Sequence, residues 1–545
     1  MIKEITITVE AGDEKNTGLH DSLIRKELKK NHIRESQFEK VFVKKSIDAR
    51  HGQLKLHLRY KVYIGEKPEG AGEWKPKWKS CAGAGLDRTV LIVGAGPAGL
   101  FGALKLLEYG IKPVIIERGV ETSRRRKDIA LISTRGLVNE DSNYCFGEGG
   151  AGTFSDGKLY TRSNKRGDIS GVLRVFNYFG ADEKILTDAH PHIGTDRLPQ
   201  VINAMRDKII ALGGEFHFNE RVVELITEKT SEQGTGLRIK GVKTLNLESG
   251  LKGEFHGAAL LLASGHSASD IYEILAKAAP DSLEAKTFAA GVRVEHPRVL
   301  IDSIQYHGRG AAAGLGAAEY RVTTQVEGRG VYSFCMCPGG FVVPSSSGPG
   351  EIVVNGMSAA ARNSKWSNAA IVVEIRPEDI PEQFKDAAAR QGCPQLAGLY
   401  FRERIEKLAF ENGNGQAAPA QRLVDFLAGR LSKDLPASSY TAGLVSSDLG
   451  SWLPSHISER LKKAFVEIDR NMHGFICDEA LMIAAETRTS TPVRILRNKE
   501  NFECTAISAL YPAGEGSGYS GGIVSSAMDG ENACEQIAKV ISSKS

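Results

Sequence analysis

The cysteine pair in SFCMCPGG has residue types that could carry redox chemistry. Cys335 and Cys337 are separated by one residue, and in a β-strand side chains at positions i and i+2 point to the same face. Two thiols at one spot could exchange electrons or act as nucleophiles, although a disulfide between such close residues would be strained and thiols also pack well as small apolar groups. Because Pro338, Gly339 and Gly340 end the strand pattern, we expect a loop beside a catalytic centre here.

Charged and imidazole side chains supply the other candidates for chemistry. Glu486 and Arg488, with Arg494 nearby, occur in AAETRTSTPVRI, where a carboxylate and a guanidinium could bind a polar or anionic substrate or form a solvated ion pair. His266 and His296 have side chains suited to proton transfer near neutral pH, or they could be structural. The catalytic candidates are therefore Cys335, Cys337 and His266, and the substrate candidates are Glu486 and Arg488.

A glycine-rich turn in VLIVGAGPAGLFGALKLLEYGIKPVIIERG has the spacing of a dinucleotide-binding motif. The turn follows an apolar strand at 89–93 and opens an amphipathic helix, and Glu117 ends the next strand. In such a motif Gly94 permits the tight turn, Gly96 lets the backbone approach a pyrophosphate, and Gly99 allows helix and strand to pack closely. We expect Glu117 to accept hydrogen bonds from an adenosine ribose. NAD and FAD share this ADP half, so the motif alone does not separate them.

A second glycine-rich turn, in AISALYPAGEGSGYSGGIVSSAMDG, lies near the other end of the chain. A strand ends at Gly514 and Glu515, and further glycines lead into a helix. This pattern resembles the second FAD signature of the glutathione reductase superfamily, in which an acidic residue, usually Asp, binds the ribityl chain and the next helix points its N-terminus at the flavin. The two turns would hold the two ends of one FAD, and the helix dipole would stabilise an anionic reduced flavin.

A third glycine-rich segment, FGEGGAGTFSDGKLYTR at 146–162, shows no apolar period and predicts a loop packed against a flat or anionic group. Together with ERG, SFCMCPGG and YPAGEGSGYSGGI, it resembles a bacterial family of uncharacterised FAD-dependent dehydrogenases over nearly the whole chain. The resemblance implies a flavoprotein of the glutathione reductase superfamily, in a branch without a separate NAD domain but with an extra N-terminal domain. It implies no substrate.

Two further segments complete the predicted cofactor site. The strand GEFHFNERVVELI would place Val222 near the adenine, and the apolar strand in LLLASG ends in a turn of small residues at 263–265. The predicted cofactor-binding residues are Gly94, Gly96, Pro97, Ala98, Gly99, Glu117, Arg118, Gly149, Gly150, Ala151, Gly152, Thr153, Ser155, Lys158, Val222, Ala263, Ser264, Gly265, Gly514, Glu515, Gly521, Gly522 and Ile523.

The order of these segments predicts an α/β fold in three parts. A small basic α+β module of the ferredoxin-like kind at 1–65 and a linker at 66–87 precede a discontinuous, doubly wound FAD-binding domain of the Rossmann type at 88–285 and 476–545. Strand-like segments such as TFAAGVRVEHPRV and GVYSFCMCP predict that 286–475 forms an inserted, mixed β-rich substrate domain.

Composition excludes several classes of protein. The net charge of +4 is small for 545 residues, and the excess is local, with 18 Lys and Arg against 12 Asp and Glu in residues 1–80. Such a balance gives no strong indication of a nucleic-acid or membrane partner, although the basic module leaves nucleic acid open. Eight irregularly spaced cysteines predict free thiols and no metal site. MIKEITITVE lacks a signal-peptide pattern, so we expect a cytoplasmic protein.

These observations predict an FAD-dependent oxidoreductase that transfers hydride between flavin and an organic substrate. No second strand, GxGxxG and helix unit follows the first, so NAD(P)H would bind only transiently, if at all. One alternative is an NAD(P)H-fed flavin hydroxylase or saturase. Another alternative, suggested by the basic N-terminal module, is a flavin-dependent protein that modifies or binds RNA.

Overall fold

The structure is a computed structural model that describes residues 1–33, 37–49, 54–67, 74–161, 167–230, 236–308 and 315–543. In chain order these residues form an N-terminal module, the first part of a dinucleotide domain, a cap domain, and the second part of the dinucleotide domain. Within those ranges no helix has both the length and the apolar character that crossing a membrane requires.

The N-terminal module is a three-stranded antiparallel sheet covered by one helix. Strand β3 lies in the middle of the sheet, and Ile24 and Leu28 of the helix are buried against its Leu56 and Leu58. The α+β prediction is confirmed, but a ferredoxin-like fold has a fourth strand and a second helix, which the described part of residues 1–67 does not form. The elements are β1 (Ile2–Glu10), α1 (Thr17–Lys30), β2 (Phe38–Asp48) and β3 (Lys55–Ile64).

Of the predicted linker 66–87, residues 66–67 and 74–87 are described, and residues 68–73 lie outside the described ranges. Its two tryptophans dock rather than extend into solvent. The ring of Trp78 stacks on Phe179 at 5.4 Å between centroids, and Trp74 and Trp78 both contact Tyr178 edge-on. The linker therefore runs along the surface of the dinucleotide domain.

The first part of the dinucleotide domain begins with alternating strands and helices and continues with a run of helices and a run of strands. Its elements are β4 (Thr89–Val93), α2 (Pro97–Glu108), β5 (Lys112–Ile116), α3 (Thr122–Arg135), α4 (Ile169–Tyr178), α5 (Leu198–Ala211), β6 (Glu215–His217), β7 (Glu220–Lys229), β8 (Leu237–Asn246), β9 (Lys252–His256), β10 (Ala259–Leu262) and α6 (Ser269–Ala278). The strand, turn, helix and strand predicted around the first glycine motif are confirmed.

The cap domain follows and is rich in strands. Its elements are β11 (Leu283–Ala285), β12 (Phe288–Pro297), α7 (Arg298–Tyr306), β13 (Thr323–Val326), β14 (Arg329–Cys337), β15 (Phe341–Pro344), β16 (Val354–Met357), β17 (Trp366–Ile375), α8 (Glu382–Arg390), α9 (Ala397–Glu411), β18 (Ala418–Arg422), α10 (Leu423–Leu427), β19 (Leu444–Ser446), α11 (Leu449–Trp452), α12 (Ser455–Asn471), β20 (Leu481–Glu486) and β21 (Val493–Ile495). The chain then returns to the dinucleotide domain with β22 (Ile507–Ser508), β23 (Leu510–Pro512) and α13 (Ile523–Ser542).

The dinucleotide domain is built on a five-stranded parallel sheet in the order β23, β10, β4, β5, β6. Helices α2, α5 and α13 pack together against this sheet, and the antiparallel meander of β7, β8 and β9 packs against β5, β10 and β4. A doubly wound fold has helices on both faces. The expected doubly wound arrangement is therefore replaced by one helical layer and one meander layer.

The cap is a seven-stranded sheet in the order β13, β14, β17, β12, β20, β18, β19, antiparallel except for its last pair. Strand β20 lies inside this sheet, between β12 and β18, although the boundary at 476 assigned it to the FAD domain. Its six residues are all buried, so β20 needs a neighbour on each side, which the cap sheet supplies. Strands β11 and β21 pair where the chain leaves and re-enters the dinucleotide domain.

Helices α2 and α13 pack closely, and their contact joins the two parts of the dinucleotide domain. A Cβ atom added to Gly530 of α13 would lie 2.0 Å from the carbonyl oxygen of Ala98, and one added to Gly102 of α2 would lie 2.9 Å from Sγ of Cys534. Both distances are shorter than a Cβ atom tolerates. The two helices approach to this distance because both positions are glycine.

We expect Gly530→Ala to lower the free energy of unfolding by about 1–3 kcal/mol, since the added methyl group overpacks the contact with α2. Thermal and urea unfolding would measure this loss. The matched control is Gly18→Ala in α1, where a Cβ atom meets nothing closer than 3.9 Å, so that the same exchange should be neutral or stabilising by about 0.4–1 kcal/mol. Equal stability of Gly530→Ala and the wild type would contradict the close contact.

Candidate functional site

A cleft opens where the carboxyl ends of the parallel strands meet the cap domain. This edge of a parallel sheet is where α/β proteins bind ligands. The predicted cofactor residues that line the cleft are Gly94, Gly96, Pro97, Ala98, Glu117, Arg118, Gly150, Ala151, Gly152, Ser155, Lys158, Val222, Ala263, Ser264, Gly265, Gly514, Glu515, Gly521, Gly522 and Ile523. The cleft also contains three of the other candidates, namely His266, Cys335 and Arg488.

The first glycine turn has the geometry that the motif predicts. Gly94 has a φ of +104°, and a Cβ atom there would lie 2.4 Å from the carbonyl oxygen of Ala263. Gly99 lies outside the cleft, where a Cβ atom would lie 2.0 Å from the Gly94 carbonyl oxygen, so it serves the packing of α2 on β4. Helix α2 begins at Pro97 without a side-chain cap, which leaves amide groups of its first turn available to an anion.

The carboxylate of Glu117 connects the first glycine turn with the third glycine-rich segment. Its Oε2 accepts a hydrogen bond from the amide of Ala95 at 2.8 Å, and its Oε1 accepts from the amides of Gly119 and Gly147 at 2.9 and 3.0 Å. A carboxylate has about four acceptor sites, so Oε2 can also accept from a ribose hydroxyl. The predicted ligand contact and the observed backbone contacts are therefore compatible.

The third glycine-rich segment packs on the first turn of α2. The amide of Gly149 donates to the Ala95 carbonyl oxygen at 2.8 Å, and a Cβ atom on Gly150 would lie 3.1 Å from Cα of Gly96. Gly149 and Thr153 lie behind the cleft wall, where Thr153 Oγ1 donates to the Glu148 carbonyl oxygen. The fully buried guanidinium of Arg125 fixes the segment by donating to the carbonyl oxygens of Asn143, Tyr144, Gly147 and Glu148.

At the other end of the cleft, Glu515 and His266 form a pair beside the start of α13. Glu515 accepts hydrogen bonds from Nδ1 of His266 at 2.9 Å and from the amide of Gly522. Burial alone would raise the pKa of Glu515, but these hydrogen bonds outweigh it and hold the pKa below its usual value. Helix α13 also lacks a side-chain cap, so two free helix N-termini face one cleft.

The cleft leaves open space at three glycines and contains one buried acceptor oxygen without a partner. Cβ atoms added to Gly265, Gly521 or Gly522 would meet no atom within 4 Å, although all three residues line the cleft. In the part of the chain that the structure describes, the buried Oε2 of Glu220, another lining residue, has no hydrogen-bond partner. A buried oxygen without a donor costs free energy, which a hydroxyl or amino group of a bound ligand would remove.

Glu486 is part of the cap core rather than of the cleft. It lies on β20 and forms a two-pronged ion pair with Arg293, with N···O distances of 2.9 and 3.0 Å. Burial raises the pKa of Glu486, and Arg293 opposes this effect. Because both carboxylate oxygens bind Arg293, the predicted contact of Glu486 with substrate does not form.

Arg488 lines the cleft, but acidic residues of the cap hold its guanidinium. Its Nη2 donates to Glu351 at 2.6 Å and to Glu406 at 3.0 Å, and its Nη1 contacts Sγ of Cys145 at 3.3 Å. Burial would raise the pKa of Glu406, but Arg488 and Arg402 lower it to about 2. Arg488 therefore positions the cleft wall, and its positive charge is largely neutralised.

Two other predicted residues lie away from the cleft. His296 is fully buried in the cap, where its Nε2 donates to the Phe475 carbonyl oxygen at 2.8 Å and burial lowers its pKa to about 4. Arg494 forms an ion pair with Glu284 at 2.7 Å. Both are structural, which agrees with the alternatives that the sequence left open.

The sequence analysis did not predict several of the residues that line the cleft. Asp156 lies inside the quoted glycine-rich segment, where its charge was the available signal, whereas the cap residues belong to no local motif. The cleft residues that were not predicted include Val93, Cys145, Phe146, Asp156, Glu220, Arg221, Asp270, Ile271, Phe334, Asn355, Thr489 and Ser526.

Family models match three segments of the chain. Residues 87–136 match an FAD binding domain, residues 287–489 match the family described as FAD-dependent protein, C-terminal domain-like, and residues 1–63 match a domain of unknown function. An uncharacterized protein of Clostridium beijerinckii is 42% identical over 452 residues, which are 82% of this chain and 80% of the clostridial one.

Solved structures with a similar chain trace are distant. A flavoprotein/dehydrogenase from Cytophaga hutchinsonii has a TM-score of 0.35 at 10% identity, covering 84% of this chain and 79% of that chain. A geranylgeranyl bacteriochlorophyll reductase-like protein from Thermoplasma acidophilum has a TM-score of 0.34 at 11% identity with the same coverage. Thermovibrio ammonificans THI4 has a TM-score of 0.25 at 15% identity, covering 36% of this chain and 63% of that chain.

The matched domains and the cleft define an FAD-binding flavoprotein. The chain belongs to the same family as the Clostridium beijerinckii protein.

We expect Gly521→Ala to weaken FAD binding about ten- to hundredfold, because the methyl group would occupy the cleft at a cost of about 1–3 kcal/mol. Fluorescence titration of the apoprotein with FAD would measure Kd, and thermal unfolding would show unchanged apoprotein stability, since the methyl group meets no protein atom. Gly12→Ala, equally free of neighbours but in the N-terminal module, is the control. Unchanged affinity in Gly521→Ala would place FAD elsewhere.

We expect Glu515→Gln to raise the Kd for FAD about tenfold, because it removes the charge that His266 and the Gly522 amide stabilise. Glu515→Asp keeps that charge and should lose less. Titrations of both variants with FAD would compare them. Equal losses would mean that the length of the side chain, and not its charge, determines binding.

Proposed function

We propose that the protein is an oxidoreductase that transfers hydride between a small organic substrate and FAD bound in this cleft. One observation carries the proposal. The first glycine turn, the N-terminus of α13 and the cap residues Phe334, Cys335 and Asn355 line a single continuous cleft. A substrate held under the cap would therefore meet the flavin end of the cofactor.

The cleft suggests a direction for the cofactor. The first turn of α2, with Gly96, would bind the pyrophosphate, Glu117 would bind the adenosine ribose, and Val222 would contact the adenine. Glu515 would bind the ribityl chain, and the N-terminus of α13 would lie beside the flavin ring. When bound, FAD supplies the group that accepts or donates hydride.

The cap side of the cleft offers both apolar and polar contacts for a substrate. Phe334 contributes an aromatic ring, and Asn355 and Thr489 contribute hydrogen-bonding groups. Lys158 contributes a positive charge from the dinucleotide domain, and it binds the carbonyl oxygen of Met336 across the cleft. This combination suits a small molecule with an apolar part and a polar or anionic group.

The proposed dehydrogenase and the alternative hydroxylase or saturase differ in the molecule that supplies electrons to the flavin. An NAD(P)H-fed hydroxylase or saturase would bind the same FAD in the same cleft, and the FAD-binding match at 87–136 is compatible with either reaction. The RNA-related alternative gains nothing from the match of residues 1–63, whose description names no function.

We expect the purified protein to be yellow and to release FAD on denaturation, which absorbance and mass spectrometry would establish. Anaerobic mixing with NADH and with NADPH then distinguishes a dehydrogenase from an NAD(P)H-fed hydroxylase or saturase. A dehydrogenase driven by its organic substrate should keep its flavin oxidised with both nucleotides and bleach with the substrate found by metabolite screening. Fast bleaching by one nucleotide would favour the hydroxylase or saturase. A protein that binds no FAD after reconstitution would overturn the proposal.

A further inference from the structure

Cys335 occupies an irregular position at the end of β14. The pairing of β14 with β17 shifts register between Phe334 and Cys337, and Cys335 has a φ of +44°. A residue with a side chain rarely adopts this left-handed conformation, and such strain is concentrated at functional sites. The bulge turns Cys335 into the cofactor cleft and leaves Cys337 buried directly behind it.

The bulge keeps the two thiols together. The Cys337 thiol lies next to Cys335, and its Sγ donates a hydrogen bond to the Cys335 carbonyl oxygen at 3.4 Å. A fully extended strand places residues i and i+2 about 6.8 Å apart, at the upper limit of the Cα separation that a disulfide allows, about 4.4–6.8 Å. The register shift and the positive φ of Cys335 mean that this segment is not a fully extended strand, so the extended-strand separation does not apply to the pair.

Charges from three elements surround the pair. Lys158 approaches from the third glycine-rich segment and Arg293 from β12, while Asp156 and Glu486 are the nearby acids. The hydrogen bond from Cys337 and these two cations lower the pKa of Cys335 well below its usual value, against burial, which opposes them. The same hydrogen bond and burial raise the pKa of Cys337. The surroundings therefore favour loss of a proton from Cys335 rather than from Cys337.

We propose that Cys335 and Cys337 form a redox-active dithiol that stores a second pair of electrons beside the bound FAD. This inference rests on the proposed function. It differs from substrate oxidation, because the electron pair resides on the chain itself between half-reactions.

The exchange balances in atoms and electrons. On oxidation the Cys335 thiolate and the Cys337 thiol form one S–S bond, the S–H proton of Cys337 is released, and two electrons pass to the oxidised flavin, which is the oxidant. In the reverse direction two electrons from the reduced flavin break the S–S bond, and Cys337 recovers its proton while Cys335 leaves as the thiolate. Lys158 and Arg293 stabilise that leaving thiolate.

A reductive titration tests the proposal. The holoprotein is first oxidised with ferricyanide, desalted, and titrated anaerobically with dithionite while the flavin absorbance is followed. We expect uptake of four electrons per FAD in the wild type and of two in Cys335→Ser and Cys337→Ser. The matched control is Cys477→Ser, another half-buried cap cysteine, which should still take up four. Uptake of two electrons by the oxidised wild type would overturn the proposal.

A thiol assay measures formation of the Cys335–Cys337 disulfide without relying on the flavin absorbance. Of the 8 cysteines in the chain, the ferricyanide-treated and then denatured protein should show two fewer free thiols than the dithiothreitol-treated protein. The peptide that contains both residues should be lighter by two hydrogens. If no FAD binds but this disulfide still forms, the proposed function and the electron exchange with flavin both fail, and only the reactivity of the thiol pair remains. If FAD binds and both thiols stay free, the dithiol alone fails.

The charge on Lys158 gives a third readout. Alkylation of Cys335 by iodoacetamide should have its pH midpoint below the usual range for a thiol, and Lys158→Met should move that midpoint upward, because it removes one of the two cations. Lys127→Met, an exchange of the same type on α3, should leave the midpoint unchanged. A midpoint that does not respond to Lys158→Met would exclude the stabilised thiolate.

Discussion

The glycine-lined contact between α2 and α13 is the constraint on which the site depends. Gly530 lies so close to the Ala98 carbonyl oxygen that no side chain fits between the helices. Both helices begin at the cleft without side-chain caps. Their close packing therefore sets the distance between the two uncapped helix N-termini, one from each end of the chain. The parallel sheet beneath them only has to supply β4 and β23, the strands that lead toward those helices.

A second set of constraints fixes the cap over this frame. Arg362 of the cap pairs with Asp156 of the dinucleotide domain at 2.7 Å, and Arg402 donates to the carbonyl oxygen of His266. Removing one partner of a buried ion pair typically costs about 3–5 kcal/mol, because the other charge remains buried and unpaired. These contacts therefore act less as a source of net stability than as a means of holding the cap in one orientation above the cleft.

The features that depend on local sequence pattern were predicted correctly. The glycine turn at Gly94 and Gly99, the acid at Glu117 and the strands of the cap follow from spacing and periodicity, and the structure has them in the predicted places. Contacts between distant residues were not predictable in this way. Glu486 was assigned to substrate because its partner Arg293, 193 residues away, carries no local sign of the pairing.

The sequence did not predict the layers of the dinucleotide domain or the bulge at Cys335, and the reasons are related. Alternating strands and helices fit a doubly wound fold as well as a fold in which a meander replaces one helical layer, because local periodicity does not say which face an element covers. The bulge depends on how β14 pairs with β17, and a two-residue spacing read as a regular strand misses it. Gly530, within α13, likewise resembles any helical glycine until its neighbour is known.

The position of α13 also sets the order in which the protein can mature. The ribosome completes α2 early, but its packing partner begins 426 residues later, from Pro97 to Ile523. At about 5–20 residues per second, α2 waits roughly 20–85 s with its glycine-lined face uncovered. The cleft that both helices line is thus completed late in biogenesis, and chaperones have a defined interval in which this apolar surface needs protection.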